Sequence, residues 1–230
     1  YLHAQDAYWR VYDFVEGTIC LQLPETDEDF YQSAVGFGTF QQLLTDFPAA
    51  KLHETIPNFH NTPDRYRALL ETLERDPMHR AAQVQPEIEF ALARQAEMSA
   101  IQNALTAGEL PLRVTHNDTK INNILFDKQG EVLCAIDLDT VMASTSLNDF
   151  GDAIRSYANT GDEDDRDLSR VGISLEMFSA YTDGYLSLRA AQLTDTEIGH
   201  LAFSARYITF EQVLRFLMDY IDGDTYYKIK

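Results

Sequence analysis

The chain has 230 residues, 45% of them hydrophobic and 24% charged, the balance of a globular protein that holds one large domain or two small ones. Its 37 acidic residues against 18 basic ones give a formal net charge of -19, a field that repels a polyphosphate backbone, so no nucleic-acid partner is expected. Cys20 and Cys134 supply neither a disulfide framework nor a zinc motif, and no apolar run reaches the roughly 18 residues of a membrane helix; a cytoplasmic protein without a membrane partner is expected.

In chain order, the aromatic and β-branched run Tyr8 to Val15 predicts a strand, and Thr18 to Leu21 a second short one after Gly17. Ala34, Phe37, Phe40, Leu43 and Leu44 recur at helical spacing and predict a helix from Phe30 to about Asp46. Thr62-Pro63 reads as a cap with proline at the first helical position, opening a helix towards Leu73. Pro86 opens a long helix through Leu105, with Gly108 placed to stop it. Three short apolar runs follow, Leu112 to Thr115, Asn123 to Phe126 and Val132 to Ile136. Asp127-Lys128-Gln129-Gly130 is a turn sequence that makes the last two a hairpin. Beyond Asp149 the pattern is helical again, interrupted by a polar stretch from Gly161 to Asp167. The capping box Thr194-x-x-Glu197 opens a helix that runs to Asp222 before Gly223. The expected fold class is α+β, a mostly helical lobe carrying a small β insert.

The chemistry is concentrated in that insert, as His116-Asn117-Asp118-Thr119-Lys120-Ile121-Asn122-Asn123 and then Ile136-Asp137-Leu138-Asp139. Asp118 and Asn123 flank a short loop between a strand and the hairpin, and Asp137 ends the second hairpin strand. Two carboxylates and an amide oxygen converging there make the all-oxygen set that hard Mg²⁺ accepts. Lys120 places a positive charge beside a phosphate held there, and a remaining carboxylate takes the proton of an attacking hydroxyl. Asp149-Phe150-Gly151 comes too late after Asp118 and precedes a helical pattern, so Asp149 reads as a helix cap. Arg155 and Tyr157 either pair with Asp149 or reach a substrate. The acidic run Asp162 to Asp167 reads as a solvated loop, and His116 as a structural residue that orients the loop.

His-x-Asp-x-x-x-x-Asn followed by Ile-Asp resembles the catalytic loop and metal-binding aspartate of the aminoglycoside phosphotransferase and choline kinase superfamily, whose fold is protein-kinase-like. The surroundings are similar to those of the anomeric N-acetylhexosamine kinases in particular, as are Glu54 to His60 and Arg215 to Tyr220. The resemblance implies ATP and Mg²⁺ as cofactors and a small-molecule acceptor, an amino sugar before an aminoglycoside-like or choline-like one. It implies Asp118 as the catalytic aspartate, Lys120 on the phosphates, Asn123 and Asp137 on the metal, and Asp139 as a carboxylate behind those ligands or on a second metal. Arg215 and Tyr226 would then face the acceptor; the structural alternative for Arg215 is a pair with Glu211 or Asp219 at helical spacing.

The resemblance also implies a hinge at Asp13, Phe14 and Val15 whose backbone holds the adenine edge. Residues 1–24 would be the remnant of a nucleotide-binding lobe and 25–230 the helical catalytic and substrate lobe. No Gly-rich phosphate loop precedes Tyr8, and the first lysine is Lys51. The N-terminal β-lobe is therefore expected to be largely absent and this chain a truncated, poorly active form. A non-catalytic, pseudokinase-like module that binds a sugar or a partner is the alternative from another class.

Overall fold

A computed structural model describes residues 2–4, 7–9, 11–161 and 165–227, with only the backbone of the strand residues before Trp9. Two three-residue strands open it, β1 (Leu2–Ala4) and β2 (Ala7–Trp9), paired antiparallel. The strand expected over Tyr8 to Val15 thus ends at Trp9. β1 offers only three partners, and residues 11–15 carry no regular structure; Arg10 lies outside the described residues. The strand expected at Thr18 to Leu21 reduces to one bridge, Ile19 with Phe126.

Helix α1 (Asp27–Leu43) starts earlier than its apolar periodicity suggests. Thr26 caps it, and Asp29 returns the bond in a capping box. Helix α2 (Thr62–Arg75) is capped by Asn61 rather than Thr62, which is itself the first helical residue. The single helix expected from Pro86 to Leu105 is two, α3 (Gln85–Met98) and α4 (Ala100–Thr106). At the break, Ser99 Oγ donates to the Gln95 carbonyl at 2.8 Å, a local bond that competes with the helix ladder. The break also redirects the apolar face. Met98 packs with Phe210 and Leu214, whereas Ile101 packs with Leu147 and Phe150.

The insert contains four strands, one more than the three apolar runs suggest. They are β3 (Arg113–Thr115), β4 (Ile124–Phe126), β5 (Val132–Ala135) and β6 (Met142–Ser144). β4 and β5 form the expected hairpin, its turn held by Asp127 Oδ1, which accepts from Gln129 N at 2.8 Å and Glu131 N at 3.0 Å. β6 returns antiparallel to β3, with Thr115 opposite Met142. The two pairs are nested, so the loop after β3 and the loop after β5 meet between them.

Helices α5 (Ser146–Tyr157), α6 (Leu175–Arg189) and α7 (Asp195–Asp222) complete the described fold. Close approaches set their placement. A Cβ on Gly151 would lie 2.5 Å from the Ser204 carbonyl oxygen of α7, and one on Gly184 would lie 2.5 Å from that of Tyr31 in α1. No described helix is long and apolar enough to cross a membrane.

A buried ion pair joins the insert to α7. Arg113 Nε donates to Glu197 Oε1 at 2.7 Å and its Nη2 donates to Oε2 at 2.8 Å, while Glu197 also closes the α7 capping box with Thr194. Burial raises the Glu197 carboxyl, but Arg113 and Thr194 outweigh it and hold the pKa below the ordinary value. A depressed carboxylate contributes stability above its unfolded pKa and loses it as pH falls through the folded one. Glu197→Gln should therefore cost about 3 kcal/mol at neutral pH, as breaking a buried pair does, and should flatten the fall of stability below about pH 4. Urea unfolding across pH measures both; a variant as stable as the parent at pH 7 would refute the assignment.

Candidate active site

The loop between β3 and β4 has a turn at Asn117, which takes the left-handed region at φ 62°. Asparagine tolerates that region better than most residues, and here its amide makes use of the turn. Nδ2 donates to the Thr140 carbonyl at 2.9 Å and Oδ1 accepts from Thr115 Oγ1 at 3.0 Å. Thr140 Oγ1 donates to the His116 carbonyl at 2.7 Å, and Ile136 N donates to the Asn123 carbonyl at 2.8 Å. The two loops are therefore laced together, and Asp137, itself left-handed at φ 58°, follows directly after Ile136.

Within this frame Asp118, Lys120 and Asn123 are in direct contact. Lys120 Nζ pairs with Asp118 Oδ1 at 2.8 Å, and Asn123 Nδ2 donates to Asp118 Oδ2 at 3.1 Å and to the Asp118 carbonyl at 2.9 Å. Burial lowers the Lys120 ammonium, but Asp118 offsets this and its pKa lies above the ordinary value, so it stays cationic. With the Asn123 amide protons turned to Asp118, its oxygen is left as a ligand for a hard cation. Asp137, which is exposed, directly follows Ile136, whose N–H donates to the Asn123 carbonyl. Asp139 lies in the short 3₁₀ turn Leu138–Thr140, where its carbonyl accepts from Thr55 Oγ1 at 3.2 Å. Among the described residues no three His, Cys, Asp or Glu side chains gather as a metal cluster. A site of this donor set fits Mg²⁺, which takes few protein oxygens and completes its shell with phosphate and water.

Asp149 is not a helix cap. Thr145 caps α5, and Asp149 sits inside its first turn, fully buried. Its Oδ2 accepts from His116 N at 2.9 Å and Gln41 Nε2 at 2.6 Å, and its Oδ1 accepts from Asn117 N at 2.7 Å. Burial pushes its carboxyl up, against the pull of these donors. One turn on, Asp152 Oδ2 accepts from Thr119 N at 3.0 Å, while its Oδ1 accepts from Arg155 at 3.2 Å. Two carboxylates of α5 thus hold the backbone of the loop that carries Asp118, and Arg155 pairs with Asp152 rather than Asp149. The spacing of Asp149 and Asp152, three residues apart on one helix face, was the available sequence signal. His116 orients the loop as expected: Nε2 lies 2.8 Å from the Ile136 carbonyl, and the ring packs edge-on against Phe37 and Phe40.

Lys120, Arg155 and Tyr157 line a cleft of about 1160 Å³ that reaches Gln212 and Phe216 of α7. Burial pushes the Tyr157 phenol up to about 12, so it presents a neutral hydroxyl. Arg215, one residue before Phe216, donates to Gln212 Oε1 at 3.1 Å and lies 5.7 Å from the Tyr226 ring centre. Arg215 and Tyr226 are thus together. Among the described residues no hydrogen bond joins them to Asp118, and neither alternative partner engages Arg215. Glu211 faces His60, and Asp219 receives the amides of Thr225, Tyr226 and Tyr227. Asp13, Phe14 and Val15 lie exposed beyond β2. Of the acidic run, residues 162–164 lie outside the described residues, and Asp165 and Asp167 take up local turn and cap bonds.

A kinase-like arrangement of a small β insert on a helical lobe is the fold class these elements define. The chain matches the phosphotransferase enzyme family over residues 1–190 and belongs to it. It is also similar to the crystal structure of aminoglycoside phosphotransferase APH(2'')-Ib bound to ADP, with a TM-score of 0.50 at 15% identity, over 94% of this chain and 65% of that one. The likeness is one of fold, and the chain spans about two-thirds of that structure's length.

Asp149→Asn replaces one accepting oxygen with a donor that faces a backbone N–H. It should cost about 2–3 kcal/mol, the worth of charged hydrogen bonds left unmade, read by denaturant unfolding. A cost within 0.5 kcal/mol, the range of ordinary surface substitutions, would mean that the loop does not depend on Asp149.

Proposed function

We propose that this chain carries the catalytic loop and acceptor cleft of an ATP- and Mg²⁺-dependent kinase that phosphorylates a hydroxyl of an amino sugar of the N-acetylhexosamine kind. The observation that carries the reading is Asp118, held between Lys120 at 2.8 Å and Asn123 at 3.1 Å beside the cleft. Asp118 accepts the proton of the acceptor hydroxyl as its oxygen attacks the terminal phosphorus of ATP, and ADP leaves. Lys120 balances charge on the transferring phosphoryl group. Asn123 and Asp137 would hold the Mg²⁺, with Asp139 as a nearby further carboxylate; the metal supplies neutralisation of phosphate charge. The backbone of Asp13, Phe14 and Val15 would take the adenine edge.

The charge of the cleft bears on the acceptor. Although the chain is strongly acidic, the described cleft lining holds Arg94, Lys120, Arg155, Arg170 and Arg206 against Asp27 and Asp165. Four of these cations are already paired, Lys120 with Asp118, Arg155 with Asp152, Arg170 with Asp165 and Arg206 with Glu97, so the described lining presents little unbalanced charge and is compatible with a neutral N-acetylated sugar. Arg215 and Tyr226 would supply a fork of donors and a flat face to the sugar.

Assays with ATP-Mg²⁺ and N-acetylglucosamine, N-acetylgalactosamine, an aminoglycoside and choline test the class. Phosphate should appear on the N-acetylated sugars, and Asp118→Asn should lower kcat by about 10³-fold. Transfer only to the cationic acceptors, or full turnover by Asp118→Asn, would overturn the reading. Arg215→Ala should raise KM for the sugar about 10-fold with KM for ATP unchanged, because a lost side-chain bond of about 1.4 kcal/mol is a tenfold change. An equal change in both constants would remove Arg215 from the sugar site.

A further inference from the structure

Two oxygen acceptors face the two nitrogens of one imidazole behind the catalytic loop. His60 Nδ1 lies 3.3 Å and 3.4 Å from the carboxylate oxygens of Glu211, and Nε2 lies 3.4 Å from the carbonyl oxygen of Asn117. The His60 side chain is only 10% exposed and that of Glu211 3%. A neutral imidazole has one N–H, so one contact would then set a lone pair against an oxygen. Protonating Glu211 would also resolve the conflict, but Arg65 Nε stands 3.8 Å from Glu211 Oε1 and favours the carboxylate. The imidazolium, a donor at both ends, fits both contacts.

The location gives the contact a consequence. Asn117 has its N–H on Asp149 and its amide on Thr115 and Thr140, so its carbonyl is the last polar group to be held. That carbonyl belongs to the peptide that joins Asn117 to Asp118. His60 is itself rigidly mounted. Its own carbonyl accepts from Tyr207 Oη at 3.0 Å, and the carbonyl of Phe59 accepts from Arg65 at 3.0 Å.

We propose that His60 is a positioning residue, clamping the Asn117 carbonyl as an imidazolium and so fixing the peptide that carries Asp118, and that its deprotonation slackens the catalytic loop. The charged groups around it are Glu211 of α7 and Asp152 of α5, with Arg65 of α2 beyond Glu211. The Tyr207 phenol, pushed up to about 12 by burial, stays neutral. Burial lowers the imidazole, but Glu211 and Asp152 outweigh it, and the pKa of His60 lies above the ordinary value. The clamp is thus in place below the ordinary histidine value and is lost as pH rises through the raised one. That slackening reaches turnover only on the reading of Asp118 as the base; the ordering of the loop does not depend on it.

The test uses the whole chain and no activity. Imidazole nitrogen and backbone amide NMR spectra are followed across about pH 5 to 9, with His60 assigned by His60→Gln. The ring should carry both protons at about pH 5 and titrate with a midpoint above about 6.5. The amides of Asn117 and Asp118 should shift with the same midpoint, and that shift should vanish in His60→Gln, whereas any due to His116 persists. If His60→Gln does not fold, variants of the other histidines assign the ring by exclusion, and the midpoints are compared in the parent chain. A ring midpoint at or below about 6.5, loop amides that ignore that midpoint, or the same shift in His60→Gln would each overturn the proposal.

Discussion

The geometry of the loop that carries Asp118 rests on the buried carboxylate of Asp149. A carboxylate withdrawn from water costs several kcal/mol unless its lone pairs are met, and this one is met by two successive backbone amides and one side-chain amide. The arrangement works in both directions. The loop has two amide groups that its left-handed turn removes from any strand ladder, and Asp149 is their acceptor. The same bonds tie the loop to the core, because Gln41 of α1 bridges onward to the Tyr185 hydroxyl of α6 at 2.7 Å. Three helices thus meet at one charge, and a rigid body of helical packing reaches the residue before Asp118.

The nested strand pairs do the complementary work. β4 with β5 is a local hairpin, but β3 with β6 closes a longer excursion and brings the Asp137 loop onto the Asp118 loop. Side-chain hydroxyls and amides then cross-link the two, as Thr140 does with His116 and Asn117. Asp118 is consequently held through the backbone of its loop and by Lys120 and Asn123 on its carboxylate, which leaves it little conformational freedom. On the proposed reading, such preorganisation is what phosphoryl transfer asks of a protein, since the chemistry is dominated by positioning and charge.

Much of this was legible in the sequence where the signal is local. The Asp127–Gly130 turn, the Thr194–Glu197 capping box and the left-handed stop at Gly223 each depend on neighbours a few residues away, and each is found. That Asp118, Lys120 and Asn123 lie together was legible because their spacing is fixed by one short loop. What escaped is long-range. β6 has no pattern of its own and exists because β3 lies beside it. The break at Ser99 follows from two separate core clusters. Asp149 reads as a cap until α5 is seen to begin at Thr145, and its true partners lie 32 and 33 residues earlier. His60, Glu211 and Asn117 come from three distant segments, and no local spacing announces their meeting.

The dependence runs further back than the charged residues. Asn117 and Asp137 both sit in the left-handed region, at a cost of about 1–2 kcal/mol each, on facing loops. Neither conformation is self-supporting; each persists because the surroundings over-determine it. For Asn117 those surroundings are Asp149, Thr115, Thr140 and His60, and two of these four depend on helix placement. Asp149 reaches the loop only while α5 lies close against α7, which the missing side chain of Gly151 permits at the Ser204 carbonyl. Glu211, in the fifth turn of α7 and buried, meets His60 from the same helix. Position along α7 therefore controls both the amide side and the carbonyl side of Asn117, and a shift of that helix would be felt at Asp118 without any change in the residues that surround the cleft.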